Sequence, residues 1–108
     1  MAQASPKRVS YEDPIRVDAR HYKVDLEDDK VRVLRCNYGA GERSVMHGHP
    51  ESIAIFMSDA RFRFTFPDGR TEEHRVSRGE VMRSPAGEHL PENLSERPLE
   101  VIVIELKS

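Results

Sequence analysis

The sequence predicts an all-β fold, on three observations. Short runs alternate apolar and polar residues with period two, as in Arg61 to Phe66, where Phe62, Phe64 and Phe66 face one way and Arg61, Arg63 and Thr65 the other. Turn residues punctuate the chain at short intervals, among them Gly39-Ala40-Gly41, Ser58-Asp59-Ala60, Pro67-Asp68-Gly69 and Ser77-Arg78-Gly79. No segment holds a helical apolar period long enough for a convincing long helix. Eight or nine short strands at this spacing argue for a sandwich or barrel.

Tyr22, Val24 and Leu26 alternate with His21, Lys23 and Asp25 in the first strand, and Glu27 to Lys30 makes an acidic turn. Val31 to Tyr38 is rich in β-branched and aromatic residues. Ser44 to His49 begins the next strand, and Ile53 to Met57 follows it. Arg61–Phe66 and Thr71–Val76 flank a Pro-Asp-Gly turn, which supplies the dihedrals of a tight reversal. Glu80 to Ser84 is a short strand, Pro85 to Pro91 reads as a loop, and Glu100 to Leu106 closes the chain as an apolar strand. Residues 1–14 read as a polar tail, loosely ordered or laid across a partner subunit as a swapped strand; residues 15–108 form a single domain.

Of the 108 residues 37% are hydrophobic, enough for one modest core and too few for two domains. A formal net charge of −2 gives no basic footprint for nucleic acid. No run approaches the roughly 20 apolar residues of a membrane span, and the N-terminus does not read as a signal peptide. Cys36 is the single cysteine, so no disulfide forms within the chain, and a reducing, cytoplasmic location fits. Its apolar strand makes it a buried structural thiol rather than a nucleophile.

The chemistry concentrates in the histidines. His47 and His49 are two residues apart in GERSVMHGHPES, so on a strand both imidazoles share one face. His89 follows in GEVMRSPAGEHLPEN. Three neutral imidazoles suit Fe, Mn, Ni, Cu or Zn and do not choose between them. His21 and His74 read as exposed and idle, and Met46, Met57 and Met82 as core or pocket lining.

These two segments resemble the two motifs of the cupin superfamily. Gly41 precedes His47 and His49 at the first motif's spacing; Gly79, Pro85, Gly87, His89 and Asn93 match the second. The resemblance covers residues 31–106. Two departures stand out: the first motif's glutamate would fall at Ile53 or Ala54, neither of which can bind a metal, and one residue rather than two separates Gly87 from His89.

The resemblance implies a small single-domain cupin: a conical β-barrel of two antiparallel jelly-roll sheets, paired as a homodimer. It implies a divalent transition metal on His47, His49 and His89, acting on a small oxygen-bearing molecule such as a dicarbonyl or hydroxy acid. The expected activity is that of a dioxygenase, isomerase or lyase. The alternative is a non-catalytic binding or sensing cupin without a functional metal.

Glu51 continues the His47, His49 parity and would replace the missing glutamate or act as a base; a solvent-facing carboxylate is the plainer reading. Arg83 would hold a substrate carboxylate in a forked contact, or else form a surface salt bridge. Glu88 and Glu92 flank His89 as further candidates for pocket lining.

Overall fold

The computed structural model describes residues 11–108. Nine strands follow one short helix: α1 (Pro14–Val17), β1 (Tyr22–Glu27), β2 (Val31–Tyr38), β3 (His47–His49), β4 (Ser52–Phe56), β5 (Ala60–Thr65), β6 (Thr71–Val76), β7 (Val81–Ser84), β8 (Gly87–Asn93) and β9 (Leu99–Leu106). They form two antiparallel sheets, a five-stranded one in the order β1-β2-β9-β4-β7 and a four-stranded one in the order β3-β8-β5-β6. The all-β jelly-roll class expected from the sequence is therefore observed. The sheets face each other as a sandwich, and no ladder of the described strands closes them into a continuous barrel.

The core lies between the layers and follows strand parity. Along β9, Leu99, Val101, Val103 and Glu105 are buried while the residues between them are half-buried. Along β2 the inward residues are Leu34, Cys36 and Tyr38. Phe56 and Phe62 stack across the two layers with centroids 5.3 Å apart. Burial raises the Cys36 thiol well above its ordinary range, which suits a packed, inert side chain.

Four local details differ from the sequence expectation. Asp13 caps a helix at Pro14, accepting from the backbone N–H of Ile15 at 3.0 Å; one turn is too short to leave a periodic signature. The segment carrying His89 is a strand, β8, and not a loop, because Gly87 to His89 pairs with β3 and Leu90 to Asn93 with β5. Met57 is exposed in the turn after β4, whereas Met82 lines the interior cavity. Tyr11 and Glu12, near the end of the segment expected to be a tail, lie against this chain's own β3, with the Gly48 N–H donating to the Glu12 carbonyl at 2.9 Å. Residues 1–10 lie outside the described residues. No helix among the described residues is long and apolar enough to cross a membrane.

Candidate metal centre

β3 is three residues long, and its alternation does the positioning. His47 and His49 point into the sandwich; Gly48 points out, beneath Tyr11. A Cβ at Gly48 would lie 2.2 Å from Cγ of Tyr11, so the glycine is what allows this close cover. β8 runs antiparallel to β3 with His89 directly opposite His47. The motif glycines before each segment, Gly41 and Gly79, have φ of +73° and +88°, a region that side chains with a Cβ rarely adopt.

The three rings converge. Their centroids are 4.9 Å (His47–His49), 5.0 Å (His47–His89) and 5.2 Å (His49–His89) apart, and each pair is close to perpendicular, at 89°, 85° and 83°. One ligating nitrogen from each lies within 4.8 Å of the others. Nε2 of His47 and Nε2 of His89 are buried with no hydrogen-bond partner. Buried polar atoms are seldom left so. Two orphaned nitrogens beside a third imidazole fit a metal ion as the missing partner.

The other ring nitrogens are engaged. His47 Nδ1 lies 2.8 Å from the Val45 carbonyl, which can only accept, so Nδ1 carries the proton and Nε2 keeps its lone pair. Ser44 Oγ donates to Asp18, leaving its oxygen to accept from the same Nδ1 at 3.2 Å. His49 Nδ1 donates to Glu105 at 2.6 Å. Glu105 also accepts from Arg32 Nε at 2.8 Å, and Arg32 in turn pairs with Asp13. A carboxylate behind a ligating histidine fixes the tautomer and raises the basicity of the free nitrogen.

The electrostatics agree with neutral donors. Burial, helped by the neighbouring His49, lowers the His47 pKa to about 4. Burial and the two other imidazoles push His89 well below its ordinary value. Burial alone would raise Glu105, but its hydrogen bonds from His49 and Arg32 hold it below the usual carboxylate value. At neutral pH His47 and His89 are uncharged and Glu105 is ionised, the protonation states that metal ligation requires.

The cluster opens onto a cavity of about 460 Å³, which His49 and His89 line at one end. Its walls are apolar and aromatic: Tyr22, Tyr38, Phe56, Phe62, Phe64 and Phe66, with Met82, Leu99, Val101 and Val103. The Phe64 ring packs on His89 at 4.3 Å and Tyr22 on His47 at 5.0 Å. The hydroxyls of Tyr22 and Tyr38 are 2.5 Å apart. Exposed Arg70, Glu72 and Arg83, from the region of edge strands β6 and β7, form the rim.

The other predicted site residues are placed as follows. Glu51 does not continue the His47, His49 face: β3 ends at His49, and Glu51 sits in the turn before β4, outside the histidine cluster. Its carboxylate pairs with Arg83, both Nε and Nη2 reaching Oε2 at 2.9 and 2.8 Å. Arg83 lines the cavity from the rim with its guanidinium held in that pair. Glu92 lines the cavity and pairs with Arg63; Glu88 does not reach it. His74 is not idle at the surface, since it lines the cavity and stacks on Phe62 at 5.2 Å. His21 is buried, stacked on Tyr38 at 4.5 Å and held between Asp18 and Glu42.

Glu105, Asp18 and Ser44 escaped the sequence reading. Glu105 had a signal: it is the one charged residue on the inward parity of β9. Asp18 and Ser44 had none beyond being small and polar near strand ends.

No protein-family model and no curated protein matches the chain. Solved structures do. A cupin domain from Bordetella pertussis Tohama I superposes with a TM-score of 0.75 at 22% identity, over 81% of this chain and 92% of that one. DMSP lyase DddQ from Ruegeria pomeroyi DSS-3 gives 0.62 at 18% identity, over 84% of this chain and 49% of that one. An oxalate oxidase gives 0.59 at 19% identity, over 71% and 42%. Two facing antiparallel sheets, histidine motifs on the adjacent strands β3 and β8 and these superpositions establish that the described residues have the fold of a small cupin domain.

Proposed function

We propose that the chain is a metal-dependent cupin enzyme in which His47, His49 and His89 hold one divalent transition metal. The observation that carries this is the pair of buried, partnerless Nε2 atoms on His47 and His89, with the opposite nitrogen of His47 and that of His49 already committed to acceptors. The ligand set suits Fe, Mn, Ni, Cu or Zn. When bound, such an ion supplies Lewis acidity toward an oxygen of the substrate. Neutral donors leave its full charge available for that purpose, and Glu105 balances it from behind His49.

The shape and lining of the cavity support a reading of the substrate class. A small molecule with an oxygen-bearing head, such as a dicarbonyl or hydroxy acid, would place that head at the histidines and its apolar body along Phe62, Phe64 and Tyr38. Dioxygenase, isomerase or lyase chemistry on such a molecule is the reaction class proposed. The Arg83–Glu51 pair at the rim would gate or orient the outer end of the molecule, Arg83 offering its guanidinium to a carboxylate in place of Glu51.

The test is metal analysis of protein purified without a tag, followed by calorimetric titration of the metal-free protein with Fe(II), Mn(II), Ni(II), Cu(II) and Zn(II). Binding of about one equivalent, abolished in His47→Ala, supports the reading. Stoichiometry below about a tenth of an equivalent with every ion overturns it. Binding of small oxygen-bearing molecules that survives both metal removal and His47→Ala would instead support a non-catalytic binding or sensing role, for which the apolar cavity alone suffices.

A further inference from the structure

On the outer face of the four-stranded sheet, two arginines meet where cross-strand neighbours ordinarily carry opposite charges. Arg61 on β5 stands directly opposite Arg75 on β6. Both are exposed, while Ala60, Phe62 and Val76 beside them along the strands are buried, so both side chains leave the outer face. The next row on that face is complementary. Arg63 stands between Glu73 and Glu92, with carboxylate oxygens at 3.9 and 3.0 Å. Like charges directly opposite one another cost stability. Glu73 offsets little of that cost, because it lies 3.9 Å from Arg61 and is shared with Arg63. Among the described residues no carboxylate pairs with Arg75 or with Arg97. Residues 1–10 contain no Asp or Glu, so the rest of the chain supplies none.

Arg61, Arg75 and Arg97 line one surface pocket of about 450 Å³, together with Ser77, Ser95 and a single carboxylate, Asp59. It shares no lining residue with the histidine cavity. Three guanidiniums against one carboxylate make it basic, on a chain whose net charge is −2. Asp59 Oδ1 already accepts from the Arg78 N–H at 2.7 Å. We propose that this pocket binds the phosphate group of a small phosphorylated molecule. A phosphate dianion offers three oxygens to forked guanidinium donors, whereas a carboxylate, with two oxygens and one charge, satisfies one fork and leaves the others. The volume is more than a bare phosphate fills and falls among small-molecule sites, so the phosphate carries an organic body. Bound there, the anion gives Arg61 and Arg75 a shared partner in place of their mutual repulsion.

The test uses the full-length chain free of metal, so its result does not depend on the histidine centre. Calorimetric titration at low ionic strength, where surface charges are least screened, is expected to show saturable binding of inorganic phosphate. Glucose 6-phosphate is expected to bind no more weakly. Arg75→Gln with Arg97→Gln is expected to weaken both by about tenfold or more. Lys23→Gln, at an exposed cation on the other sheet, is expected to change neither. Arg75→Gln alone should raise the urea midpoint without phosphate, where it removes the like-charge pair, and lower it at saturating phosphate, where it removes a ligand contact. Should the double variant fail to fold, the wild type still reads the site: the Nε–H resonances of Arg61, Arg75 and Arg97 should shift together as phosphate is added. Absence of saturable phosphate binding overturns the inference. So does binding that leaves those resonances or the double variant's affinity unchanged, or citrate binding more tightly than glucose 6-phosphate.

Discussion

At the level of single residues, the centre divides into nitrogens that would bind and atoms that aim them. His89 belongs to the first kind. His89→Ala removes one of three donors and is expected to weaken binding beyond titration range, while far-UV circular dichroism stays unchanged. Glu105 belongs to the second. Glu105→Gln keeps the shape of the side chain but takes the negative charge from behind His49 and from the partly buried Arg32. Metal affinity is expected to fall 10- to 100-fold, measured by competition with a chromophoric chelator. A smaller loss in Ser44→Ala would show that the Val45 carbonyl is sufficient to hold His47.

The same residues set a pH dependence for the metal-free protein. The folded-state pKa of His47, about 4, lies below the ordinary value of 6.5. Between these values the unfolded chain binds the proton and the folded chain does not, so stability falls as pH drops from about 6.5 to about 4. The His47 contribution is roughly 3 kcal/mol. His89 shifts in the same direction. Glu105 is depressed, so its contribution is lost at still lower pH, as it takes up its own proton. Urea midpoints should therefore decline over this window, and His47→Gln should flatten the decline.

At the level of elements, β3 shows what sequence alone could and could not reveal. The shared face of His47 and His49 was legible because period two is a property of any strand. The failure at Glu51 has the same root: parity extends only as far as the strand does, and β3 stops at His49, before Pro50. His21 was misjudged because its burial comes from Tyr38, Asp18 and Glu42, contacts made by folding rather than by neighbours in the chain. β8 was misread as a loop because Pro85 and Pro91 suggest breaks. Pro91 nonetheless sits in the strand opposite Phe64, its backbone carbonyl accepting from the Ser44 N–H. The closeness of Tyr11 to Gly48 supplies a test of β3 itself. Gly48→Ala places a methyl against the Tyr11 ring and is expected to cost about 1–3 kcal/mol. Tyr11→Ala in the same chain should recover part of that loss, measured by urea unfolding.

Across the whole molecule, the centre couples the two sheets. All three histidines stand on the four-stranded sheet, but the carboxylate that orients His49 comes from β9 in the other. The hydrogen bond of 2.6 Å between them crosses the sandwich at the level of the histidine cluster. With a metal held at the three histidines, the Nδ1–H of His49 would be a stronger donor to Glu105, and contact between the layers should tighten. Metal at about a hundred times its dissociation constant is expected to stabilise the fold by about 2.7 kcal/mol. For a domain of this size that raises Tm by roughly 10 °C or more. The coupling has its own signature. Once the lower affinity of Glu105→Gln is matched by raising the metal concentration to the same saturation, mass action alone predicts an equal rise in Tm. If Glu105 carries the effect between sheets, amide exchange along β9 should slow on metal addition in the wild type and stay unchanged in the variant. Equal slowing in both would confine the metal's influence to the four-stranded sheet and to mass action.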